Sequence, residues 1–503
     1  MQKPLPDDVL EKLDKAGLYA DPDGRVDWRD NGSEHPKNWS VGKKVLDTGI
    51  ITLFVTVSGF IGNVGTSVAH EAAKDFEIGS VLANIAFASM FFYGQGFGGL
   101  LLPPYTESFG RKNINIFASA GYAIACIVVG VPQSLPAVFV GRFCMGFLSA
   151  LPTVVGSGSI EDMWGVRARI WAIDVWIKGS IIGIALGPCF ATYVSTSSLH
   201  WPWVFHISAL LMGGVCLTCF FAHESRPSVL LDRHMKAISK STNCEDLWTD
   251  NKDKVPDIRT FTHTMLIRPA RFFFTEPIIT AVSIMSAVVF GSVYLQTEGL
   301  SVTYEAFGFN EREASLVFFA WIIGLVLTIP LRLNDWRLVS RRLRKKEEVR
   351  PEDKINGLYV ASPVLAVALW WFSWTVPPVG KSISPYVSLA AVVLVGACTN
   401  EFDGILQGYL TDSYATYAAS ANAPLAALRA ALSGSFPIFG RQMFSNLGSN
   451  LAGTVLAIIA TIFCFITFWF YKRAAITREN SKFAVHVEKV EDEKGDNEDA
   501  TSS

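Results

Sequence analysis

The stretch PAVFVGRFCMGFLSALPTVVG, residues 136–156, carries a single charged side chain, that of Arg142. An α-helix needs about 20 apolar residues to cross the ~30 Å hydrocarbon core of a bilayer, and this stretch is long enough. A guanidinium at the centre of such a helix costs about 2.5–3.5 kcal/mol on insertion. The stretch therefore predicts a transmembrane helix in which Arg142 faces a partner, an aqueous cavity or a passing solute.

The same apolar pattern recurs along the whole chain. Twelve segments can be marked, at about 44–64, 80–102, 114–132, 136–156, 170–194, 203–222, 275–297, 313–333, 356–376, 385–407, 416–438 and 450–471. The charged residues that fall within them or at their ends include Asp174, Lys178, Glu401, Asp403 and Arg429. The pattern predicts an all-α integral membrane protein, and these ionisable residues are candidate functional groups.

The composition supports a membrane protein and excludes several other classes. Of the 503 residues, 50% are hydrophobic and only 17% are charged, whereas soluble domains carry about 25% charged residues. A net charge of −2 argues against a nucleic-acid-binding protein, which presents a basic face. The eight cysteines lie mostly in apolar segments, and the Cys-x-x-Cys spacing of Cys216 and Cys219 has no second ligand pair. We find no pattern typical of an enzyme, a metal site or a cofactor site, and we predict none of the three.

The distribution of lysine and arginine predicts the topology. The loops on the side of the N-terminus hold most of these residues, including Lys43, Arg111, Arg167, Arg341 and Lys472. Because cytoplasmic loops carry the excess of positive charge, both termini are predicted to be cytoplasmic. The predicted parts are an N-terminal segment (1–43), a six-helix bundle (44–222), a cytoplasmic linker loop (223–274), a second six-helix bundle (275–471) and a disordered acidic tail (472–503).

Three local motifs resemble the major facilitator superfamily. The loop between the second and third segments contains Glu107, Gly110, Arg111 and Lys112, which match the superfamily's acidic residue, turn glycine and two basic residues. The sequence Arg142-Phe-Cys-Met-Gly146 is similar to the Arg-Phe-x-x-Gly of its fourth helix. The fifth segment resembles the antiporter motif, although Ala191-Thr192 stands where that motif often has glycines. The residues that carry this last match are Gly179, Gly183, Gly187 and Pro188.

A further ordered set of motifs is similar to the fungal twelve-span drug/proton antiporter family. It comprises Pro36-Lys-Asn38-Trp39-Ser40, Glu161-Asp162-Met-Trp164, Glu276-Pro277 and Tyr409-Leu-Thr-Asp412-Ser-Tyr414. The resemblance runs from about residue 34 to residue 481. It implies two pseudo-symmetric six-helix bundles with a solute site between them. It also implies that the loop charges pair across the two halves when the cytoplasmic side closes. The buried arginine is expected to hold a carboxylate or tune its proton affinity, and the alternative is a structural hydrogen-bonding role at a helix interface.

The resemblance implies that the protein exports a drug or secondary metabolite in a proton-coupled process. It is expected to act as a monomer in a fungal plasma membrane. Its expected partners are a small organic solute, protons and the lipid bilayer. The candidate proton carriers are Asp174, Glu401 and Asp403. Asp174 and Lys178 lie four residues apart on one helix face, so an internal ion pair is the alternative. Arg429, near a helix end, has surface snorkelling as its alternative.

A second hypothesis within transport remains open at this stage. Arg142, Lys178 and Arg429 would give the cavity a basic character, which suits the export of an organic acid anion. An uptake symporter and a non-transporting sensor on the same scaffold are further alternatives. The sequence alone does not name the solute or its charge.

Overall fold

The computed structural model describes residues 6–21, 23–29, 32–131, 134–244, 246–249, 262–347, 351, 355–414, 417–479, 481 and 483. Long helices at all twelve predicted positions confirm the predicted all-α fold class. The first six spans are Val41–Asp75 (span 1), Ser80–Asn84 with Ile85–Ser89 and Met90–Leu101 (span 2), Arg111–Gly130 (span 3), Leu135–Ala150 with Leu151–Val155 and Gly156–Met163 (span 4), Val166–Ser195 (span 5) and Pro202–Phe221 (span 6).

The second six spans follow the same plan. They are Pro277–Glu305 (span 7), Glu311–Ser315 with Leu316–Phe318, Phe319–Val326 and Ile329–Arg344 (span 8), Asn356–Thr375 (span 9), Pro385–Ser413 (span 10), Ala418–Leu447 (span 11) and Ser449–Glu479 (span 12). A short helix, Pro103–Phe109, joins spans 2 and 3. Most spans extend beyond the apolar segments seen in the sequence, because polar residues continue the helix at one or both ends.

Ten helices in the described part of the chain are long and apolar enough to cross a membrane. Spans 2 and 11, which are richer in glycine, serine and alanine, are not among the ten. Large apolar side chains point away from the helix bundle, and Phe117, Leu210 and Phe465 are each more than 70% exposed. Such side chains are unfavourable in water and favourable in lipid, so the outer surface matches the hydrocarbon core of a bilayer.

The packing of the spans repeats from one half of the chain to the other. Spans 1 and 5, 2 and 4, and 3 and 6 form close pairs in the first half. Spans 7 and 11, 8 and 10, and 9 and 12 form the corresponding pairs in the second half. The main contacts between the halves are those of span 2 with span 11 and of span 5 with span 8. Replacing each span by its counterpart in the other half turns one of these contacts into the other. The fold is therefore two six-helix bundles related by a pseudo-two-fold axis.

The N-terminal segment and the linker fold together. Helix Asp7–Lys15 is followed by strands Leu18–Ala20 and Val26–Trp28, which pair antiparallel, and by a 3₁₀ turn at Pro36–Asn38. The linker, predicted as a polar loop, contains helices Pro227–Thr242 and Arg268–Thr275, the second preceded by a π-helical turn at His263–Ile267. A small apolar core joins the two parts through Val9, Leu13, Leu18, Ile238 and Leu247. The tail predicted to be disordered was 472–503, but residues 472–479 continue the helix of span 12. The rest of the tail lies outside the described residues, Ser481 and Phe483 excepted.

Candidate functional site

We call basal the face at which span 1 begins with Val41, and distal the face at which it ends with Asp75. A cavity of about 240 Å³ lies between the bundles in the basal half, walled chiefly by spans 2, 4, 10 and 11. About half of its lining side chains are small or apolar, and four are charged: Glu107, Arg111, Glu161 and Arg429. Concave space of this mixed character is typical of small-molecule sites.

A second cavity of about 140 Å³ lies beside the first, between spans 4, 5, 8 and 10. Ser157, Glu161, Gln407 and Thr411 line both cavities, so the two are neighbours along one boundary between the bundles. The second cavity reaches Asp174, which is one of the candidate proton carriers.

Asp174 belongs to a network of charges that joins the two bundles. Its Oδ2 atom accepts a hydrogen bond of 2.5 Å from Lys178 Nζ, so the ion pair within span 5, given above as the alternative, is present. Its Oδ1 atom lies 3.7 Å from Nε of Arg332 on span 8. Arg332 also pairs with Glu401 on span 10 and, at 3.1 Å, with Asp335. Three carboxylates and two cations thus meet between spans 5, 8 and 10.

The members of this network are almost completely buried. The side chains of Asp174, Asp335 and Glu401 are 4%, 6% and 1% exposed, and that of Arg332 is 14% exposed. Asn400 donates a further hydrogen bond of 3.4 Å to Glu401. Because each carboxylate is screened from water, its ionised form is stabilised mainly by the cations of the network. Protonation of one carboxylate therefore changes the electrostatic stabilisation of the others.

Sequence reasoning missed Arg332 and Asp335. The predicted span 8 ended at residue 333, so Arg332 stood next to its end and Asp335 fell in the basic cytoplasmic loop predicted to follow it. In the structure Ile329–Arg344 continues the helix and carries both side chains into the bundle boundary. The i,i+3 spacing of the opposite charges was the available signal.

Arg429 and Asp403 form a second intramembrane ion pair, confined to the second bundle. Nη1 of Arg429 donates to Oδ1 of Asp403 at 2.6 Å, and the guanidinium lies 3.2 Å from the ring centroid of Phe290 on span 7. Asp403 is 9% exposed, whereas Arg429 is 23% exposed and lines the first cavity. Arg429 therefore faces the cavity between the bundles and does not snorkel to the surface.

Arg142 lies inside the first bundle and is fully buried. Its guanidinium donates to the backbone carbonyls of Phe87 at 2.5 Å, Ile61 at 3.0 Å and Gly62 at 2.8 Å. Phe87 lies in the π-helical turn of span 2, where the regular carbonyl ladder is interrupted. The residue thus holds peptide carbonyls of spans 1 and 2, rather than the carboxylate that the sequence suggested.

The loop motif between spans 2 and 3 is folded around Glu224 of the linker. Gly110 has φ of +92°, and a Cβ atom there would lie 2.3 Å from Glu224 Oε2. Glu224 accepts backbone hydrogen bonds from Arg111 at 2.8 Å and Lys112 at 3.2 Å. The Arg111 side chain pairs with Asp162 of span 4 at 3.3 Å. In this conformation the motif pairs within its own half of the protein rather than across the two halves, and Glu107 lines the first cavity.

The glycine motif of span 5 packs against span 1. A Cβ atom at Gly183 would lie 2.1 Å from the carbonyl oxygen of Thr56, and one at Gly187 would lie 2.6 Å from that of Phe60. A Cβ atom at Gly179 would lie 2.7 Å from Thr56 Oγ1. Pro188 follows inside the helix. The four-residue spacing thus permits the close approach of two backbones, as small residues do in membrane proteins.

The distal half of the boundary is closed by contacts between the bundles. Arg312 of span 8 donates to the hydroxyl and carbonyl oxygens of Thr196, each at 2.8 Å. Asn84 donates to the carbonyl of Pro437 at 3.1 Å, and the Phe92 and Tyr294 rings lie 4.2 Å apart. The larger cavities therefore lie on the basal side of a closed distal half.

The described residues contain no group of three or more His, Cys, Asp or Glu side chains placed to hold a metal ion. The charged groups brought together here instead pair with one another. The arrangement suits proton binding and the exchange of salt-bridge partners between helices.

Comparisons with known proteins agree with this geometry. The sequence profile of the Major Facilitator Superfamily matches residues 49–436. The MFS-type transporter acdC of Aspergillus candidus is 26% identical, over 92% of this chain and 90% of its own. The multidrug transporter TPO1_2 of Candida glabrata is 26% identical, over 96% of this chain and 82% of its own. Among solved structures, the proton:xylose symporter XylE has the same fold, with a TM-score of 0.59, 13% identity and coverage of 86% and 97% of the two chains.

Proposed function

The chain belongs to the major facilitator superfamily and is a multi-pass membrane transporter; from this premise we propose that it exports a small organic compound in exchange for protons. The exchange runs by alternating access between the state seen here, with its distal half closed, and a state with the distal half open. Proton binding and solute binding act on this one equilibrium, so each changes the affinity for the other.

The observation that carries the proposal is the charge network around Arg332. Asp174 belongs to the first bundle, whereas Arg332 and Glu401 belong to the second. Protonation of Asp174 or Glu401 removes one negative charge from the shared guanidinium and weakens the tie between the bundles. Movement of the bundles in turn alters the surroundings, and hence the proton affinity, of both carboxylates. A proton-coupled conformational change needs this reciprocal dependence.

The charges of the first cavity favour an uncharged or cationic solute over an organic acid anion. Both guanidinium groups on its wall already have carboxylate partners, Asp162 for Arg111 and Asp403 for Arg429. Glu107 and Glu161 line the same space, and Glu161 pairs with Arg169. An incoming anion would have to displace a bonded carboxylate, and that displacement opposes binding. The name of the Candida glabrata relative, a multidrug transporter, supports an organic compound as the solute.

We propose that the basal face is cytosolic and that the protein acts as a monomer in the plasma membrane. Lys43, Arg111, Arg167 and Arg341 all lie at or near the basal ends of their spans, which agrees with the positive-inside rule. In that orientation the basal cavity takes solute from the cytosol. Proton-driven opening of the distal half then releases it outside.

Proton flux driven by solutes tests the proposal. The full chain is reconstituted in liposomes that enclose pyranine, a pH-sensitive dye. A panel of uncharged, cationic and anionic organic compounds is added under an imposed pH gradient. We expect at least one uncharged or cationic compound to move protons in the direction opposite to its own movement. Protons that move in the same direction as the compound would indicate symport. A compound flux that does not depend on the pH gradient would indicate facilitated diffusion. Either result contradicts the proposal.

Asp174→Asn, Glu401→Gln and Asp403→Asn are the variants for the same assay. We expect the variant that lacks the proton carrier to transport solute without moving protons. Loss of coupling in Asp403→Asn alone would indicate that the coupling site is the pair of Arg429 and Asp403 rather than the Arg332 network. Metabolite profiling of medium and cells, with and without the gene, identifies the natural solute as the compound that is lost from the medium and retained in the cells.

A further inference from the structure

Glu298 on span 7 is a buried carboxylate outside the site described above. It is 5% exposed, and its Oε1 atom has no hydrogen-bond partner among the described residues. Span 11 packs closely against it, because a Cβ atom at Gly440 would lie 3.2 Å from Cβ of Glu298. An ionised carboxylate in such a place loses its hydration without full compensation, whereas a protonated one does not.

A small polar cavity of about 50 Å³ connects Glu298 with the distal end of the boundary between the bundles. Thr66, Thr192 and Ser195 of the first bundle line it, as do Thr297 and Ser301 of the second. The rim residues His70 and Glu311 are exposed. The carboxylate therefore lies at the inner end of a hydrophilic recess that begins at the distal surface.

The charged groups around the recess come from four spans. Span 1 contributes His70, Glu71 and Lys74, span 7 contributes Glu305, span 8 contributes Glu311, and span 11 contributes Arg441. Lys74 pairs with Glu71 at 2.9 Å, so among the described residues that line the recess Arg441 is the cation that faces Glu298, Glu305 and Glu311. With all groups ionised, negative charge exceeds positive charge around the recess. Proton uptake at its most buried carboxylate relieves this excess.

We propose that Glu298 binds a proton that arrives from the distal face, and that this protonation permits the distal half to close. When the distal half is open, water reaches the carboxylate and it is ionised at neutral pH. When the distal half closes as seen here, the side chain loses that water, so closure is favoured for the neutral acid. The reaction is the addition of one proton to one carboxylate oxygen. This inference rests on the proposed proton-coupled transport, to which it adds the proton-binding group on the distal side.

Glu298→Gln and Glu298→Asp test the inference in the pyranine liposomes. In the wild type, we expect solute-driven proton flux to depend on distal pH by up to about tenfold per pH unit, the limit for one titrating group. Glu298→Gln mimics the protonated acid and is expected to lose this dependence, whereas Glu298→Asp is expected to retain it. Glu77→Gln, an exposed carboxylate in the distal loop outside the recess, is the matched control. An unchanged dependence on distal pH in Glu298→Gln overturns the inference.

A readout without any solute separates this inference from the proposed function. Infrared spectra of the purified chain are recorded across a pH titration, in the region of the carboxylic-acid C=O stretch. A band that titrates in the wild type and in Glu77→Gln, but is missing in Glu298→Gln, supports the inference. Identical spectra in the wild type and Glu298→Gln overturn it, whatever the transport assay shows. Absence of solute-driven proton flux in the wild type would contradict the proposed function while leaving the titration of Glu298 measurable.

Discussion

Arg332 Nε on span 8 lies 3.7 Å from Asp174 Oδ1 on span 5, and this contact joins the two bundles inside the membrane. The same guanidinium pairs with Asp335 and Glu401 on its other side. One cation thus serves three buried carboxylates, of which Asp174 has a second partner in Lys178. Removal of that cation affects both the stability of the protein and the coupling of its halves.

Arg332→Gln is expected to destabilise the protein by about 3–5 kcal/mol, since breaking a buried ion pair leaves an uncompensated charge. Glu401 would lose the guanidinium with which it pairs, whereas Asp174 would keep its hydrogen bond from Lys178. Thermal unfolding of the detergent-solubilised chain measures the loss. Arg337→Gln, an exposed position on the same helix, is the matched control and is expected to unfold like the wild type.

The double variant Arg332→Gln/Glu401→Gln checks the origin of that loss. Because it removes a positive and a negative charge together, we expect it to be more stable than Arg332→Gln. A double variant no more stable than the single one would mean that the arginine stabilises the fold through packing rather than through charge.

Asp403→Asn is expected to change which solutes the first cavity accepts. Arg429 would keep its place on the cavity wall but lose its carboxylate partner, 2.6 Å away. The cavity then gains one net positive charge, so affinity for organic anions rises and affinity for cations falls, each by about tenfold for ~1.4 kcal/mol of electrostatic energy. Competition by charged dyes against a transported compound measures the change. Asp403→Asn/Arg429→Gln removes both charges and is expected to restore the original preference. An unaltered preference in the single variant would indicate that the solute does not bind in the first cavity.

Gly183→Ala is expected to cost about 1–3 kcal/mol, the usual range for overpacking a tight contact. The new methyl group would lie 2.1 Å from a backbone oxygen of Thr56, so spans 1 and 5 would have to separate. Gly214→Ala on span 6 is the control, because nothing lies within 4 Å of its added Cβ atom. Melting temperatures of the two variants compare the sites directly, and equal values would show that spans 1 and 5 tolerate separation.

Arg142→Lys is expected to lower the yield of folded protein while leaving the pH dependence of the remaining transport unchanged. A lysine keeps the charge but cannot reproduce the planar fork that bonds the carbonyls of Ile61, Gly62 and Phe87. Size-exclusion profiles and the pyranine assay measure the two effects separately. Normal folding combined with uncoupled transport would instead support the role in proton coupling that the sequence suggested.

The sequence predicted the fold class and the family correctly. Twelve apolar segments predicted twelve helical spans, because the length of a membrane helix follows from the thickness of the hydrocarbon core. The motifs predicted the major facilitator superfamily, and the match to its sequence profile confirms it. The predicted fungal drug-transporter type agrees with two fungal transporters that are each 26% identical to this chain. The folded N-terminal segment and the helical linker were not foreseen, since their small core joins residues more than two hundred positions apart.

The candidate site could be predicted only in part. Asp174, Lys178, Glu401, Asp403 and Arg429 stood out because charged residues are costly in apolar segments. Their partners could not be assigned, and Arg332 was missed because it lies just inside the helix end that hydropathy suggested. Glu298 was missed because it lies one position beyond the apolar segment 275–297, whereas the helix of span 7 continues to Glu305.

The sequence by itself determined that the chain crosses the membrane repeatedly, since hydropathy depends only on the local run of residues. It also indicated several of the side chains that carry charge into the membrane, but not Arg332 or Glu298. Only the tertiary structure decided what each charge contacts: Arg142 meets peptide carbonyls, Arg332 meets carboxylates of both bundles, and Glu298 lies at the inner end of a distal recess. The physical reason is that Coulombic and hydrogen-bond energies depend on distances between helices that are remote in sequence, and packing alone sets those distances.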